Sequence, residues 1–276
     1  MAGSESGRAL DGRVAVVTGA ARGQGRAHAL RLAEHGADLI LVDSCAGFPG
    51  QGYPPADAAD LAETGRRARE LGVRVIAETV DVRDHARLDS TITEGAREFG
   101  GRLDIVVANA GISAWGKLWE ISREEWDEVV GVNLTGVWLT LKACVPTMIE
   151  AGRGGSIIIT SSVAGIKPLP AQAHYSAAKH GVVGLMKTAA LELAPYGIRV
   201  NALHPWAVDT PMATDGNLTA ILRANTHFLK SFGQVLDSPA IAAPEDIADA
   251  ALWLATDASR TVTGASIPVD LGATSV

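Results

Sequence analysis

The sequence predicts a single α/β domain, doubly wound on a seven-stranded parallel sheet. Short β-type apolar runs alternate with longer helical patterns along the chain, and such alternation specifies strands joined by crossover helices. Runs such as Val14-Ala-Val-Val17 and Ile157-Ile-Ile159 are apolar on both faces, as expected when helices cover both sides of a sheet. In chain order the strands are residues 13–18, 38–42, 74–80, 103–108, 156–160, 198–203 and 266–269. No repeat period or low-complexity tract interrupts them.

With 276 residues, 47% hydrophobic and 20% charged, the chain can bury one large core, and residues 11–276 read as one domain. Residues 1–10 read as a disordered tail. A formal charge of -7 argues against a nucleic-acid partner or an anionic membrane, both of which reward clustered Lys and Arg, and favours small-molecule chemistry. Cys45 and Cys144 are too few for a disulfide framework, and no Cys/His cluster has metal-ligand spacing. Without a signal-peptide core or an apolar run of about 18 residues, a cytoplasmic protein is expected.

One connection breaks the rhythm. After the second strand ends at Asp43, the Gly- and Pro-rich residues 44–56 precede a helix starting near Asp57, where about 2–6 residues normally suffice. The insertion begins where that strand would meet the adenosine half of a dinucleotide. It is either a tolerated surface loop, since long loops cost little entropy, or a flap over a cofactor.

Thr18-Gly19-Ala-Ala-Arg22-Gly23-Gln24-Gly25 joins the first strand to the first helix. Its glycines suit a tight turn that brings backbone N–H groups close to a pyrophosphate, with the helix start facing the negative charge, as in a Rossmann fold. Asp43 stands where an acid can accept hydrogen bonds from both ribose hydroxyls and repel a 2′-phosphate; with no Arg after it, NAD is favoured over NADP. Asp81-Val82 closes the third strand, where the carboxylate either meets the adenine amino group or makes a turn. Asn109-Ala110-Gly111 ends the fourth strand, and its small residues let the backbone approach a ribose or simply turn.

Tyr175-Ser-Ala-Ala-Lys179 sets a phenol and an ammonium four residues apart on one helix face. A phenol titrates near ~10, and a charged neighbour that lowers this by roughly 2–3 units makes it a general base at neutral pH. Ser162 stands thirteen residues before Tyr175; its neighbour Ser161 is the weaker candidate because adjacent strand residues face opposite ways.

Taken together, residues 18–25, Asn109-Ala-Gly111, Asn133, Ser162, Tyr175 and Lys179 resemble the short-chain dehydrogenase/reductase family in order and spacing, from about residue 12 to the C-terminus. The resemblance implies that Tyr175 takes the hydroxyl proton of an alcohol while hydride passes to NAD. Lys179 then lowers the Tyr175 pKa and binds the nicotinamide ribose, Ser162 holds the substrate oxygen, and Asn133 holds a water linking Lys179 to solvent. Asn133 is equally compatible with a helix N-cap. Two departures stand out. His204-Pro205-Trp206 replaces the usual Asn-Pro-Gly, leaving backbone contacts from Val208 and Thr210 to the carboxamide available and placing a Trp either at the reaction centre or swung from it. His204 reads better as a packed strand-end residue than as a base. With the insertion, this segment resembles the subgroup similar to carveol dehydrogenase and associated with the redox peptide mycofactocin, which implies tightly held NAD reoxidised in place.

Residues 211–239 supply the substrate lid in such folds, with Met212, Leu218, Ile221, Leu222, Phe228, Leu229 and Phe232 as its apolar face. Trp115, Val163, Gln172, His174 and Trp206 are candidate pocket walls, and the set suggests an apolar secondary alcohol, terpenoid or alicyclic, and its ketone. Val182, Val183, Leu185, Met186, Ala189 and Leu193 make the helix after Lys179 apolar around much of its circumference, and the family pairs through it, so a homotetramer is expected. The competing readings are an NADPH-dependent ketoacyl or quinone reductase, which Asp43 opposes, and a non-catalytic NAD-binding protein.

Overall fold

The computed structural model describes residues 8–276. Among them, β1 (Val14–Thr18), β2 (Asp38–Asp43), β3 (Val75–Thr79), β4 (Ile105–Ala108), β5 (Gly155–Thr160), β6 (Ile198–Pro205) and β7 (Ser266–Val269) form one sheet in the order β3-β2-β1-β4-β5-β6-β7. Every neighbouring pair is parallel. All seven expected strands are present, and β6 runs on to Pro205, which carries His204 into the sheet. The connection reverses direction between β1 and β4, and this switch point opens a crevice at the carboxyl ends of both strands.

The helices α1 (Gly23–Glu34), α2 (Ala58–Glu70), α3 (His85–Glu98), α4 (Arg123–Val130), α5 (Gly136–Ala151), α6 (Ala173–Leu193), α7 (Gly216–Ala224) and α8 (Pro244–Ala255) follow in chain order. Strand alternation distributes the apolar side chains between two layers. Val14 and Val16 enter the core that α3, α5 and α6 cover, whereas Ala15 and Val17 enter the one beneath α1, α2 and α8. β1, β4 and the interior of β5 are buried throughout, while the edge strands β3 and β7 are partly exposed.

Two local features bear on the site. α2 starts behind a capping box in which Asp57 accepts from the Asp60 amide at 2.9 Å, so the helix begins cleanly after the insertion. α4 and α5 are one continuous helix interrupted by a π-helical turn, Gly131–Thr135, that contains Asn133. The helix N-cap alternative for Asn133 is thereby corrected. This helix is long and apolar enough by composition to cross a membrane, but 56% of its apolar window is buried inside the fold. The disordered tail of residues 1–10 is shortened. Residues 1–7 lie outside the described residues, while Leu10 is buried in the α1-side core and donates its amide to His35 O at 2.8 Å.

Asp104 locks the start of β4 to β1. Its buried carboxylate accepts from the Val14 amide at 2.8 Å and from Arg102 Nε at 2.6 Å. Asp104→Ala should cost about 2 kcal/mol, because it orphans a buried amide and a charged donor. Denaturant unfolding should show the loss as a lower midpoint at unchanged slope.

Candidate active site

The crevice holds a cavity of about 450 Å³ into which both halves of the expected site open. At one end the β1–α1 turn is drawn tight. Gly19 has φ +68°, and a Cβ there would stand 2.8 Å from Ala110 Cα. A Cβ at Gly25 would stand 1.8 Å from Gly19 O, so no side chain fits. Asp43 ties this turn to the insertion, because its carboxylate accepts from the Ala21 amide at 3.0 Å and from the Cys45 amide at 2.9 Å. Asn109 stitches the strand ends together: its Nδ2 donates to Thr18 O at 3.1 Å and its Oδ1 accepts from Thr160 Oγ1 at 3.2 Å. That side chain therefore works on the fold, leaving Ala110 and Gly111 as the small lining of the cleft.

Gly23, Gln24, Val82, Val208 and Thr210 also line the cavity, and Gln24 Oε1 is buried with no partner among the described residues. Asp81 is clamped by Arg83 at 2.7 Å, and Arg83 reaches on to Glu128 at 2.7 Å. Burial pushes the Asp81 carboxyl upward, but the Arg83 hydrogen bonds and charge outweigh it and hold the group below its ordinary range. The cleft fits a dinucleotide: side-chain-free turns allow close backbone approach, and an acid ends β2.

Toward the other end lie Lys179, Tyr175, Ser162 and Asn133. Lys179 is buried, donates to Thr160 O at 2.8 Å and places Nζ 5.5 Å from the centre of the Tyr175 ring. Ser162 follows β5 and accepts from the Ala164 amide at 3.1 Å; Ser161 instead donates to Lys179 O at 3.0 Å. Asn133 Nδ2 donates to Ile112 O at 2.9 Å and Val129 O at 2.8 Å. A Cβ at Gly111 would stand 2.8 Å from Asn133 Oδ1 and 3.6 Å from Lys179 Nζ, so glycine keeps the gap between them open.

Burial pushes the Tyr175 phenol up to about 12, the Ser162 hydroxyl acts against the rise, and the nearby Tyr53 phenol adds to it. Burial pulls the Lys179 ammonium down to about 8. The direction at Tyr175 is opposite to the one expected from a lysine neighbour. Here the cost of desolvating a phenolate dominates, and the Ser162 hydrogen bond offsets only part of it.

His204 is buried, and its Nδ1 donates to Ser162 O at 2.7 Å, so it holds the serine segment from the adjacent strand rather than acting as a base. Trp206 turns toward the lid: Nε1 donates to Gln234 Oε1 at 3.1 Å, and Phe232 lies 6.0 Å from Trp206 and 6.1 Å from Trp115, ring centre to ring centre. Trp115, Gln172 and Trp206 line the cavity as expected, but Val163 and His174 do not. Val163 is packed in the interior, and His174 Nδ1 accepts from the Tyr175 amide at 2.9 Å. Of the lid residues, Met212, Leu218 and Phe232 reach the cavity, whereas Leu229 is 53% exposed.

Sequence reasoning missed the residues that the insertion contributes. Phe48, Gln51 and Tyr53 line the cavity, and the Tyr53 hydroxyl accepts from the Ser113 amide at 3.2 Å. Arg22 donates to Pro54 O, which fastens the insertion to the start of α1. Two aromatics in a Gly/Pro-rich loop were the signal available.

Lys179 carries a stability cost that pH relieves. An unfolded lysine holds its proton to about 10.5 and the folded one only to about 8, so the unfolded chain binds the extra proton between these values and stability rises with pH across that window. Lys179→Met, stripped of nucleotide, should be about 2 kcal/mol more stable than the parent at pH 7. Melts from pH 7 to 10.5 should show that gap closing.

The family model described as Enoyl-(Acyl carrier protein) reductase matches residues 19–274. An uncharacterised NAD-dependent oxidoreductase of Mycobacterium tuberculosis is 49% identical over 98% of both chains. The (-)-trans-carveol dehydrogenase of Rhodococcus erythropolis is 44% identical over 96% of this chain and 98% of its own. A crystal structure of a short-chain dehydrogenase from Mycobacterium paratuberculosis bound to NAD superposes with a TM-score of 0.94 at 46% identity, over 97% of this chain and all of that one. The tight glycine turn, the acid ending β2 and the serine–tyrosine–lysine row belong together in one lineage: this chain is a member of the short-chain dehydrogenase/reductase family, an NAD-dependent oxidoreductase acting on alcohols.

Proposed function

We propose that the protein oxidises an apolar secondary alcohol, terpenoid or alicyclic, to its ketone, with NAD held under the insertion throughout. The observation that carries this reading is a single cavity whose reacting end is walled by Trp115, Trp206, Phe232, Leu218 and Met212 beside Ser162 and Tyr175. Such walls suit hydrocarbon and carry no fixed cation for a phosphorylated metabolite. The likeness to a carveol dehydrogenase agrees with it.

Gly19, Arg22, Gly23, Gln24, Gly25, Asp43, Asp81, Val82, Asn109, Ala110, Gly111, Val208 and Thr210 hold the cofactor, with Tyr175 and Lys179 at its nicotinamide end. When bound, NAD accepts the hydride of the carbinol carbon and brings positive charge to that end. Ser162 donates to the substrate oxygen, and Tyr175 accepts its proton. The phenolate so required is favoured by every positive charge in the pocket, and Lys179 is the one the chain supplies. Asn133 and Lys179 flank the gap at Gly111, where a water would carry the proton onward.

The insertion joins the start of α1 through Arg22 and approaches the lid through Gly52, so it closes over the cofactor. On this reading the cofactor would stay bound between turnovers, and a redox peptide of the mycofactocin kind would take up its electrons. A homotetramer in the cytoplasm completes the proposal: Trp138 on α5 and Leu191 on α6 are 46% and 79% exposed, apolar surface suited to association, and both cysteines are free.

Tyr175→Phe should lower turnover of carveol with a dye acceptor at least about a thousandfold while NAD stays bound, within what a general base contributes; undiminished turnover would sink the mechanism. Wild-type protein should release NAD only on denaturation, as mass spectrometry reads, and deletion of residues 44–56 should make the nucleotide exchange with added NAD. Free exchange in the wild type would remove the flap from the proposal.

A further inference from the structure

We infer that Tyr53, which the insertion carries into the catalytic compartment, is a specificity-determining residue that selects alcohols bearing a second oxygen. The inference rests on the alcohol-dehydrogenase reading above and names the substrate more closely.

Three observations converge on this side chain. Tyr53 is buried, with its ring held edge-on by Phe48 at 6.5 Å between centroids. Its hydroxyl accepts the Ser113 amide, which fixes the oxygen, and its own proton has no acceptor among the described residues. The segment beneath it is seated firmly: a Cβ on Gly52 would stand 2.0 Å from Asp215 Oδ1 of the lid, and the Gly216 amide approaches Gly52 O at 3.4 Å. Ser113 is held in turn, because its Oγ accepts from Gln172 Nε2 at 2.9 Å.

A donor held in place with its proton unspent has a chemical consequence. Left unmet, a buried hydroxyl loses its hydration without return, so a ligand that presents no acceptor is penalised. Ser162 and Tyr175 already serve the oxygen that reacts. Tyr53 lines the same cavity from a separate segment, and with the reacting oxygen already served by two groups its proton is left for another atom of the ligand. A carbonyl, hydroxyl or carboxylate elsewhere on the substrate ring meets it; a plain hydrocarbon ring does not. Sites that hydrogen-bond a substrate group discriminate strongly against analogues that lack it.

The test compares trans-cyclohexane-1,4-diol with cyclohexanol as substrates of the NAD-loaded enzyme, using a dye acceptor. Wild type should favour the diol in kcat/KM, and Tyr53→Phe should shrink that preference about tenfold, the worth of one hydrogen bond, with the loss carried in KM. Tyr53→Leu should shrink it at least as far. A purely structural role lowers both substrates together and keeps their ratio, which would overturn the inference. A ratio kept while NAD leaks out would assign the donor to the cofactor and overturn it as well. A wild type that oxidises neither alcohol would instead sink the alcohol-dehydrogenase reading, and this inference with it.

Discussion

The site depends on how closely the first turn of the fold lies against the end of β4. A side chain at Gly25 would overlap the carbonyl of Gly19, and one at Gly19 would strike Ala110. Asn109 then closes the arrangement by bonding back to Thr18, while Thr160 bonds to Asn109 from β5. Three strand ends are thus pinned around one crevice before any ligand arrives. The bond from Asn109 also satisfies the Thr18 carbonyl at the end of β1. The gain is a cleft of fixed width at the switch point, with Asp43 at one end and Lys179 at the other.

Burial is the second organising force, and it works against ionisation. Lys179 is buried and Tyr175 partly buried, and desolvation pushes each toward its neutral form. At neutral pH the Tyr175 phenol keeps its proton, while Lys179, which holds its own to about 8, stays largely charged. His204 belongs to the same design. It gives up any catalytic role to hold the carbonyl of Ser162 from the neighbouring strand. Trp206, beside it, is tied to the lid through Gln234 and Phe232.

The insertion changes what kind of compartment this is. It reaches α1 through Arg22, Ser113 through Tyr53 and residues 215–216 through Gly52, so it is attached at three places along the cavity. A loop that merely tolerated extra length would have few such attachments.

The strands, the glycine turn, Asp43 and the serine–tyrosine–lysine row were legible in the sequence because each rests on local rules: strand alternation, turn geometry and helical spacing. Their order along the chain is enough to name the chemistry. The sequence alone also located the insertion. It did not place Tyr53 beside Ser113, turn Trp206 toward the lid, or remove Val163 and His174 from the pocket wall, since these depend on contacts between segments far apart in the chain. Nor did it reveal that Leu10 is core, or that Asn133 sits in a π-helical turn rather than at a helix start. The direction of the Tyr175 shift was also decided only in three dimensions. Spacing fixes which charges are neighbours, but desolvation depends on everything packed around them, and only the folded chain determines that.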